Sequence, residues 1–140
     1  MSLNDFNEPS SSSSSKSAVC CPDEQVAFDI EFFDKVLQRN PDHVDSLRQQ
    51  VELMAGRGNY SRALELDLRL VKLRPADRVA FYNLACSLSM LGQIEEAINA
   101  LEQSILLGYD DVPHLEIDSD LDPIRCVSKY WDMLEKYGMY

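Results

Sequence analysis

The sequence predicts an all-α fold of stacked antiparallel helical hairpins, and three observations lead to this prediction. Residues 44–108 repeat the same order of apolar, small and turn-forming positions after 34 residues. Within each copy, the apolar residues recur at the spacing of one helix face. Gly58 and Gly92 interrupt the two copies at equivalent positions, and Pro41 and Pro75 also stand 34 residues apart. The chain therefore contains one helix-turn-helix unit twice.

The two copies match position by position. Pairs of residues separated by 34 positions are Leu47 and Phe81, Val51 and Ala85, Met54 and Leu88, Tyr60 and Ile94, Leu64 and Ile98, Val71 and Ile105, and Leu73 and Leu107. Ala63 and Ala97 fall where the two helices of a hairpin cross, because a larger side chain would open a void in a close-packed interface. Gly58 and Gly92 fall where the first helix stops, a place that suits a residue with positive φ. These glycines therefore predict turns and not a phosphate-binding loop.

In the second copy, seven positions carry the pattern of a known repeat family. They are Phe81, Leu84, Ala85, Leu88, Gly92, Ala97 and Leu101. The pattern resembles that of the tetratricopeptide repeat (TPR) family, whose units are 34-residue helical hairpins. The resemblance implies a right-handed superhelix, a solenoid in which the first helices of successive hairpins line a concave groove. The first copy departs from the pattern, since Gln50 stands where leucine is usual, Val51 at the small position and Asp67 at a usually bulky one.

An opening helix is predicted at 23–40. Its apolar face is formed by Val26, Ile30, Phe33 and Leu37, widened by Phe28, Phe32 and Val36. Asp23 is the expected N-cap, and Asn40 and Pro41 end the helix. We expect this helix to cover one end of the stack, because two hairpins alone fall below the roughly three repeats that stability usually requires.

The two repeats are assigned to residues 42–75 and 76–109. Their helices are expected at about 42–56, 60–73, 76–91 and 94–107. Asp42 and Asp77 lie near helix starts, where a carboxylate meets unpaired N–H groups and the positive end of the helix dipole. The sequence therefore predicts helix capping for both aspartates.

After Gly108 the repeat fails, and a different segment follows. The residues that mark it are Asp118, Asp120, Leu121, Ile124 and Arg125, followed by a helix with Val127, Tyr130, Trp131, Leu134 and Tyr137 on one face. They resemble the segment that closes many bacterial TPR arrays, although Ser119 stands where proline is common. The resemblance implies a cap at 110–140, in which the aspartates cap helix ends or pair with Arg125.

Asp118, Asp120 and Asp122 also have the spacing of the first three ligands of an EF-hand calcium loop. Such a loop continues with a glycine and ends with a glutamate at its twelfth position. Pro123 and Lys129 occupy these places. No metal site is therefore predicted here.

Residues 1–22 are predicted to be a disordered, serine-rich tail, which leaves 23–140 as one TPR-like domain. A polar segment with a serine run at 10–15 cannot bury enough apolar area to fold. No secretory signal is recognised, so we expect a cytoplasmic, reducing environment in which the thiols are free. The four cysteines are Cys20, Cys21, Cys86 and Cys126, and their spacing is not that of a metal site.

Charge and motifs exclude several classes of function. The chain has 13 Lys and Arg residues against 24 Asp and Glu residues, a formal net charge of −11. This balance argues against nucleic acid and anionic membranes as partners, because both require a basic face. His43 and His114 stand far apart without a motif, and no hydrolase, P-loop or zinc-protease signature is present. We therefore expect no enzyme activity and no cofactor.

Projection onto the first helices of the two repeats predicts which residues face the groove. They are Asp45, Arg48, Gln49, Glu52, Val79, Tyr82, Asn83, Cys86 and Ser89. Asn83 can hydrogen-bond a peptide backbone, and Tyr82 can supply flat contact area. Two alternatives stay open: these residues are simply solvated, or the tail or an end helix covers them. Because Glu52 replaces an asparagine of the carboxylate clamp found in some family members, binding of chaperone C-termini is not expected.

The resemblance and the groove together predict an adaptor or scaffold that binds a peptide or helix of another protein. A first alternative is a structural module that forms homo-oligomers through apolar end faces around Phe28, Phe32 or Trp131. A second alternative is an accessory subunit that regulates an enzyme through the groove, which would have the same sequence features.

Overall fold

The computed structural model describes residues 22–140, which form eight α-helices and one short 3-10 helix and contain no strand. The helices are α1 (Pro22–Arg39), α2 (Val44–Gly56), α3 (Tyr60–Leu73), α4 (Arg78–Met90), α5 (Ile94–Leu106), α6 (Val112–Ile117), α7 (Asp122–Arg125) and α8 (Ser128–Lys136). The 3-10 helix Ser119–Leu121 lies between α6 and α7. Within the described residues, every helix falls short of the length or the apolar character that a bilayer crossing demands.

The first described helix differs from the prediction at its start. Of the predicted tail at 1–22, only Pro22 is described, and Cys20 and Cys21 lie outside the described residues. Asp23 lies within the first turn of α1, so its prediction as the N-cap was wrong. The physical reason is that proline is well suited to the first position of a helix, where no N–H is needed.

Side chains cap the first helices of the two repeats. The Asp77 carboxylate accepts hydrogen bonds of 2.9 and 3.2 Å from two backbone N–H groups in the first turn of α4, which confirms its predicted role. At α2 the cap is His43, whose ring Nδ1 accepts a hydrogen bond of 3.3 Å from the N–H of Ser46. Asp42 lies one residue before this cap, so the prediction that it caps α2 was wrong.

Gly58 and Gly92 make the turns between the helices of each hairpin. Their φ angles are +78° and +80°, in the left-handed region that glycine adopts without steric cost. Apart from the glycine itself and its two chain neighbours, no described residue has a heavy atom within 4 Å of the place where a Cβ would stand. The requirement for glycine is therefore one of backbone conformation and not of space, as the sequence predicted.

The core is divided into two clusters that follow the order of the helices. The first cluster joins α1 to the first hairpin and the start of α4. It contains Leu37, Leu47, Val51, Met54, Ala63, Leu66, Leu70 and Ala80. The second joins α4 and α5 to the C-terminal elements and includes Leu84, Ala85, Leu88, Ala97, Ile98, Leu101, Leu115, Leu121, Ile124, Tyr130 and Leu134. Val71 of α3 packs against both clusters. Ala63 and Ala97 have no exposed surface, which confirms that they lie at close helix contacts.

Gln50 is one departure of the first copy from the repeat pattern, and its contacts explain why a polar residue stands there. It is fully buried on α2 and faces α1. Its Nε2 donates hydrogen bonds of 2.6 Å to Oδ1 of Asp34 and 3.4 Å to the carbonyl of Ile30. A polar residue therefore replaces leucine at a position where the neighbouring helix offers acceptors.

Asp67 is the second departure, and it places a carboxyl group inside the core. Its side chain is fully buried between α3 and α4. Oδ2 accepts a hydrogen bond of 2.7 Å from the hydroxyl of Ser87, while Oδ1 has no hydrogen-bond partner among the described residues. Burial raises the pKa of Asp67 to about 7, and the Ser87 bond only partly opposes this shift. The folded chain therefore favours the protonated acid.

We expect the stability of the chain to depend on pH through Asp67. Because the folded state holds this proton more tightly than the unfolded state, the free energy of unfolding falls as pH rises towards 7, by at most about 1.4 kcal/mol per pH unit. Asp67→Asn removes this dependence and raises the free energy of unfolding at pH 8. Urea denaturation at several pH values between 5 and 8 measures the effect.

The exposed residue Asp132 of α8 provides the control. Asp132→Asn should keep the slope of the wild-type chain. Equal slopes for wild type and Asp67→Asn would show that Asp67 is ionised in the folded chain.

Candidate interaction groove

A cavity of about 220 Å³ lies on the concave face of the stack. The walls come from α2 and α4, the first helices of the two repeats, and from the start of α3. The remaining side is formed by residues 110–125, which we name the closing segment. The lining residues are Val51, Glu52, Ala55, Tyr60, Val79, Tyr82, Asn83, Cys86, Ser87, His114, Asp118 and Asp120. We refer to this space as the groove cavity.

Five of the nine residues predicted to face the groove line this cavity. They are Glu52, Val79, Tyr82, Asn83 and Cys86. Asp45 and Gln49 are exposed on α2 but do not line the cavity, and Arg48 forms an ion pair with Asp77. Ser89 has no exposed surface, so its prediction as a groove residue was wrong. The physical reason is that α4 is covered along much of its length by α3, α5 and the closing segment.

Tyr82 is covered by the chain itself and is only 5% exposed. Its hydroxyl donates a hydrogen bond of 2.5 Å to Oδ2 of Asp118. Its ring stacks on that of Tyr109, with 4.6 Å between the ring centroids, and the ring of His114 lies 5.4 Å away. The expectation that Tyr82 offers a free flat surface was therefore wrong. Of the alternatives considered from the sequence, covering by a C-terminal element applies to this residue.

The closing segment contributes groove residues that the sequence did not assign to the groove. Oδ1 of Asp118 accepts a hydrogen bond of 3.0 Å from the N–H of Asp120 and so caps the 3-10 helix. Oδ1 of Asp120 accepts one of 3.1 Å from the hydroxyl of Tyr60. The resemblance to an array-closing segment implied this capping role. It contained no signal that the segment folds back across the concave face.

Arg125 holds the closing segment in this position. Its guanidinium donates hydrogen bonds to the carbonyl oxygens of Leu115 and Asp118, the latter at 2.8 Å, and pairs with the carboxylate of Asp122. The indole Nε1 of Trp131 donates a hydrogen bond of 2.8 Å to the carbonyl of Arg125. Arg125 therefore pairs with Asp122 and not with the carboxylates of Asp118 or Asp120, the aspartates for which the resemblance implied this pairing.

Negative charge is concentrated around the groove cavity, where Glu52, Asp118 and Asp120 each present a carboxylate. Burial raises the pKa of Asp120 above its usual value, and the charges of Asp118 and Asp122 raise it further, whereas the Tyr60 hydrogen bond opposes the shift. Burial and the hydrogen bond to Asp120 also raise the pKa of Tyr60. These shifts reflect carboxylates held together in partly buried space.

Cys86 and His114 both lie beside Asp118. Cys86 Sγ donates a hydrogen bond of 3.7 Å to Oδ2 of Asp118, and Nε2 of His114 lies 3.3 Å from the same oxygen. Burial raises the pKa of Cys86, and the charges of Asp118 and Asp120 raise it further. A nucleophilic cysteine needs surroundings that favour the thiolate. These surroundings favour the thiol, so we assign Cys86 to the packing of the closing segment.

A curated relative matches part of the chain. This relative, a chloroplastic protein of Arabidopsis thaliana, is 37% identical over 82 residues, which cover 56% of this chain and 24% of that protein. The chain therefore spans only a minor part of the length of this relative. No family model matches the chain. Because this relative is chloroplastic, the cytoplasmic location stays a prediction. The same holds for a bacterial origin, which the resemblance of the C-terminal segment to bacterial TPR arrays implied.

Solved structures of MamA share the fold. The crystal structure of MamA matches with a TM-score of 0.64 at 22% identity, over 79% of this chain and 63% of that chain. The structure of MamA 41-end from Desulfovibrio magneticus RS-1 matches with a TM-score of 0.60 at 20% identity, over 81% of this chain and 68% of that chain. At these identities the likeness concerns the fold alone. It confirms the predicted fold class, an all-α, TPR-like right-handed superhelix of stacked antiparallel hairpins with capping helices.

Proposed function

We propose that this chain is a non-enzymatic protein-interaction adaptor that binds a peptide or a helix of another protein in the groove between α2 and α4. The observation that supports this function best is the groove cavity, which opens between the first helices of both repeats and has apolar and polar side chains on the same walls. Recognition sites typically combine apolar contact area with a few polar groups that fix the orientation of the ligand.

The groove side chains have suitable roles in this proposal. Val79 is 46% exposed and offers apolar contact together with Val51. Asn83 is half-buried, and its amide can both donate to and accept from a peptide backbone. A ligand longer than the cavity would run on to Asp45 and Gln49, which are exposed on α2.

We expect Val79→Gln/Asn83→Ala to weaken partner binding, because it removes apolar contact and a hydrogen-bonding amide from two groove residues that are not buried in the core. Tyr82 is left intact, since its truncation would release the closing segment. Affinity capture from a lysate of the source organism, quantified by mass spectrometry, should show at least one protein that falls about tenfold with this variant, equivalent to roughly 1.4 kcal/mol of binding free energy.

Leu68→Gln/Asn99→Ala is the matched control, because Leu68 on α3 and Asn99 on α5 are exposed and do not line the groove cavity. The control should retain every protein that the wild-type chain retains. Capture of the same proteins in equal amounts by the groove variant would contradict the proposed function.

Self-association is a second candidate function, and apolar surfaces at the two ends of the stack favour it. On α1, Phe28 and Phe32 are 63% and 53% exposed. Beside α8, a cavity of about 650 Å³ is lined mainly by apolar residues that include Trp131, Met139 and Tyr140. Exposed apolar patches of this kind often mark contacts between proteins.

As an adaptor that works through its groove, the chain should remain a monomer of 15.9 kDa. Static light scattering over a hundredfold range of protein concentration measures this. The second candidate would be favoured by a mass that rises with concentration and returns to the monomer value in Phe28→Ser/Phe32→Ser. In that case the control Leu106→Ser should still show the raised mass. Leu106 suits the control because it is 60% exposed on α5.

A further inference from the structure

The groove cavity holds more negative charge than the described part of the chain neutralises. Its carboxylates come from two separate elements, Glu52 from α2, and Asp118 and Asp120 from the closing segment. Among the described residues that line the cavity, none is a lysine or an arginine. Of these lining residues, His114 alone can become a cation, and it lies beside Asp118.

Two arginines on the neighbouring elements are engaged elsewhere. Arg48, one turn before Glu52 on α2, pairs with Asp77. Arg125 of the closing segment binds two backbone carbonyl groups and Asp122. Glu52 therefore faces the cavity as an exposed carboxylate without an ion pair among the described residues.

The shape and the remaining walls suit one long side chain. At about 220 Å³, the cavity is smaller than the roughly 300–1,000 Å³ of sites for drug-sized ligands. Val51, Ala55 and Val79 supply apolar surface beside the carboxylates. Lysine and arginine side chains bury their methylene stems along such surface while the charged end contacts polar groups. The ring of Tyr60 adds an aromatic surface that also attracts cations.

We propose that the groove cavity binds the cationic side chain of a lysine or arginine presented by a peptide of the partner protein. This inference rests on the proposed function, because it names the chemistry of the ligand that the groove takes. The stem contacts Val51 and Val79, and the charged end donates hydrogen bonds to Glu52 and Asp120. An acidic ligand would meet like charge on both sides of the cavity, which disfavours its binding.

Selection of random twelve-residue peptides displayed on phage, with the full chain as target, tests this inference. We expect the recovered peptides to share a lysine or arginine at one position of their common motif. The best peptide is then synthesised and titrated by calorimetry. Replacing its conserved cation with norleucine should weaken binding about tenfold or more, the loss typical of one charge-assisted hydrogen bond.

Variants of the chain locate the contact. Glu52→Gln/Asp120→Asn should weaken binding of the peptide by a similar factor, because both amides keep the shape of the side chain but lose its charge. Asp132→Asn/Glu96→Gln is the matched control, since both residues are exposed and lie outside the groove cavity. The control should bind as the wild-type chain does, and rising salt should weaken the wild type more than the charge-neutralised variant.

The other outcomes separate this inference from the proposed function. Neutral or acidic peptides that lose binding in Val79→Gln/Asn83→Ala would support the groove as a binding site and overturn its preference for a cation. Basic peptides unaffected by Glu52→Gln/Asp120→Asn would also overturn the inference. Recovery of no peptide that responds to Val79→Gln/Asn83→Ala would count against the proposed function, and this inference would fall with it.

Discussion

The hydrogen bonds of Asp118 determine how the C-terminal part of the chain meets the repeats. One carboxylate oxygen accepts from the hydroxyl of Tyr82 on α4, and the other caps the 3-10 helix. Arg125 binds the carbonyl of the same residue. Because a partly buried carboxylate is stable only when such partners are present, the cap and the groove wall depend on each other. Leu121 and Ile124, both fully buried, complete this junction with apolar contact.

This junction gives the short stack its particular groove. Two hairpins offer few first helices to line a concave surface, and the closing segment forms one side of the groove cavity in place of a further hairpin. The same segment that covers Tyr82 brings Asp118 and Asp120 next to Glu52 of α2. The concave face therefore contains a small acidic cavity with apolar walls, and not one long open surface. We expect the negative charge of this cavity to select ligands that carry a cation.

The sequence predicted those features that depend on local pattern. Gly58 indicates a turn at its own position, and Ala63 indicates a close helix contact at its own position. The 34-residue repeat of such residues was therefore sufficient to place the hairpins. The covering of Tyr82 depends on Asp118, which lies 36 residues away, and no periodicity links them. Asp67 stood out as an exception to the repeat, but only the structure shows that Ser87 is its partner. For this reason, the fold was predicted more completely than the groove.

Asp118 holds the closing segment against the concave face, and hydrogen exchange followed by mass spectrometry tests this role. Asp118→Ala should speed exchange across residues 109–121, while α2 and α3 keep the protection of the wild-type chain. Asp122→Ala removes a carboxylate at the exposed side of the same segment and should change exchange much less. Equal protection of residues 109–121 in the wild-type chain and Asp118→Ala would contradict the account.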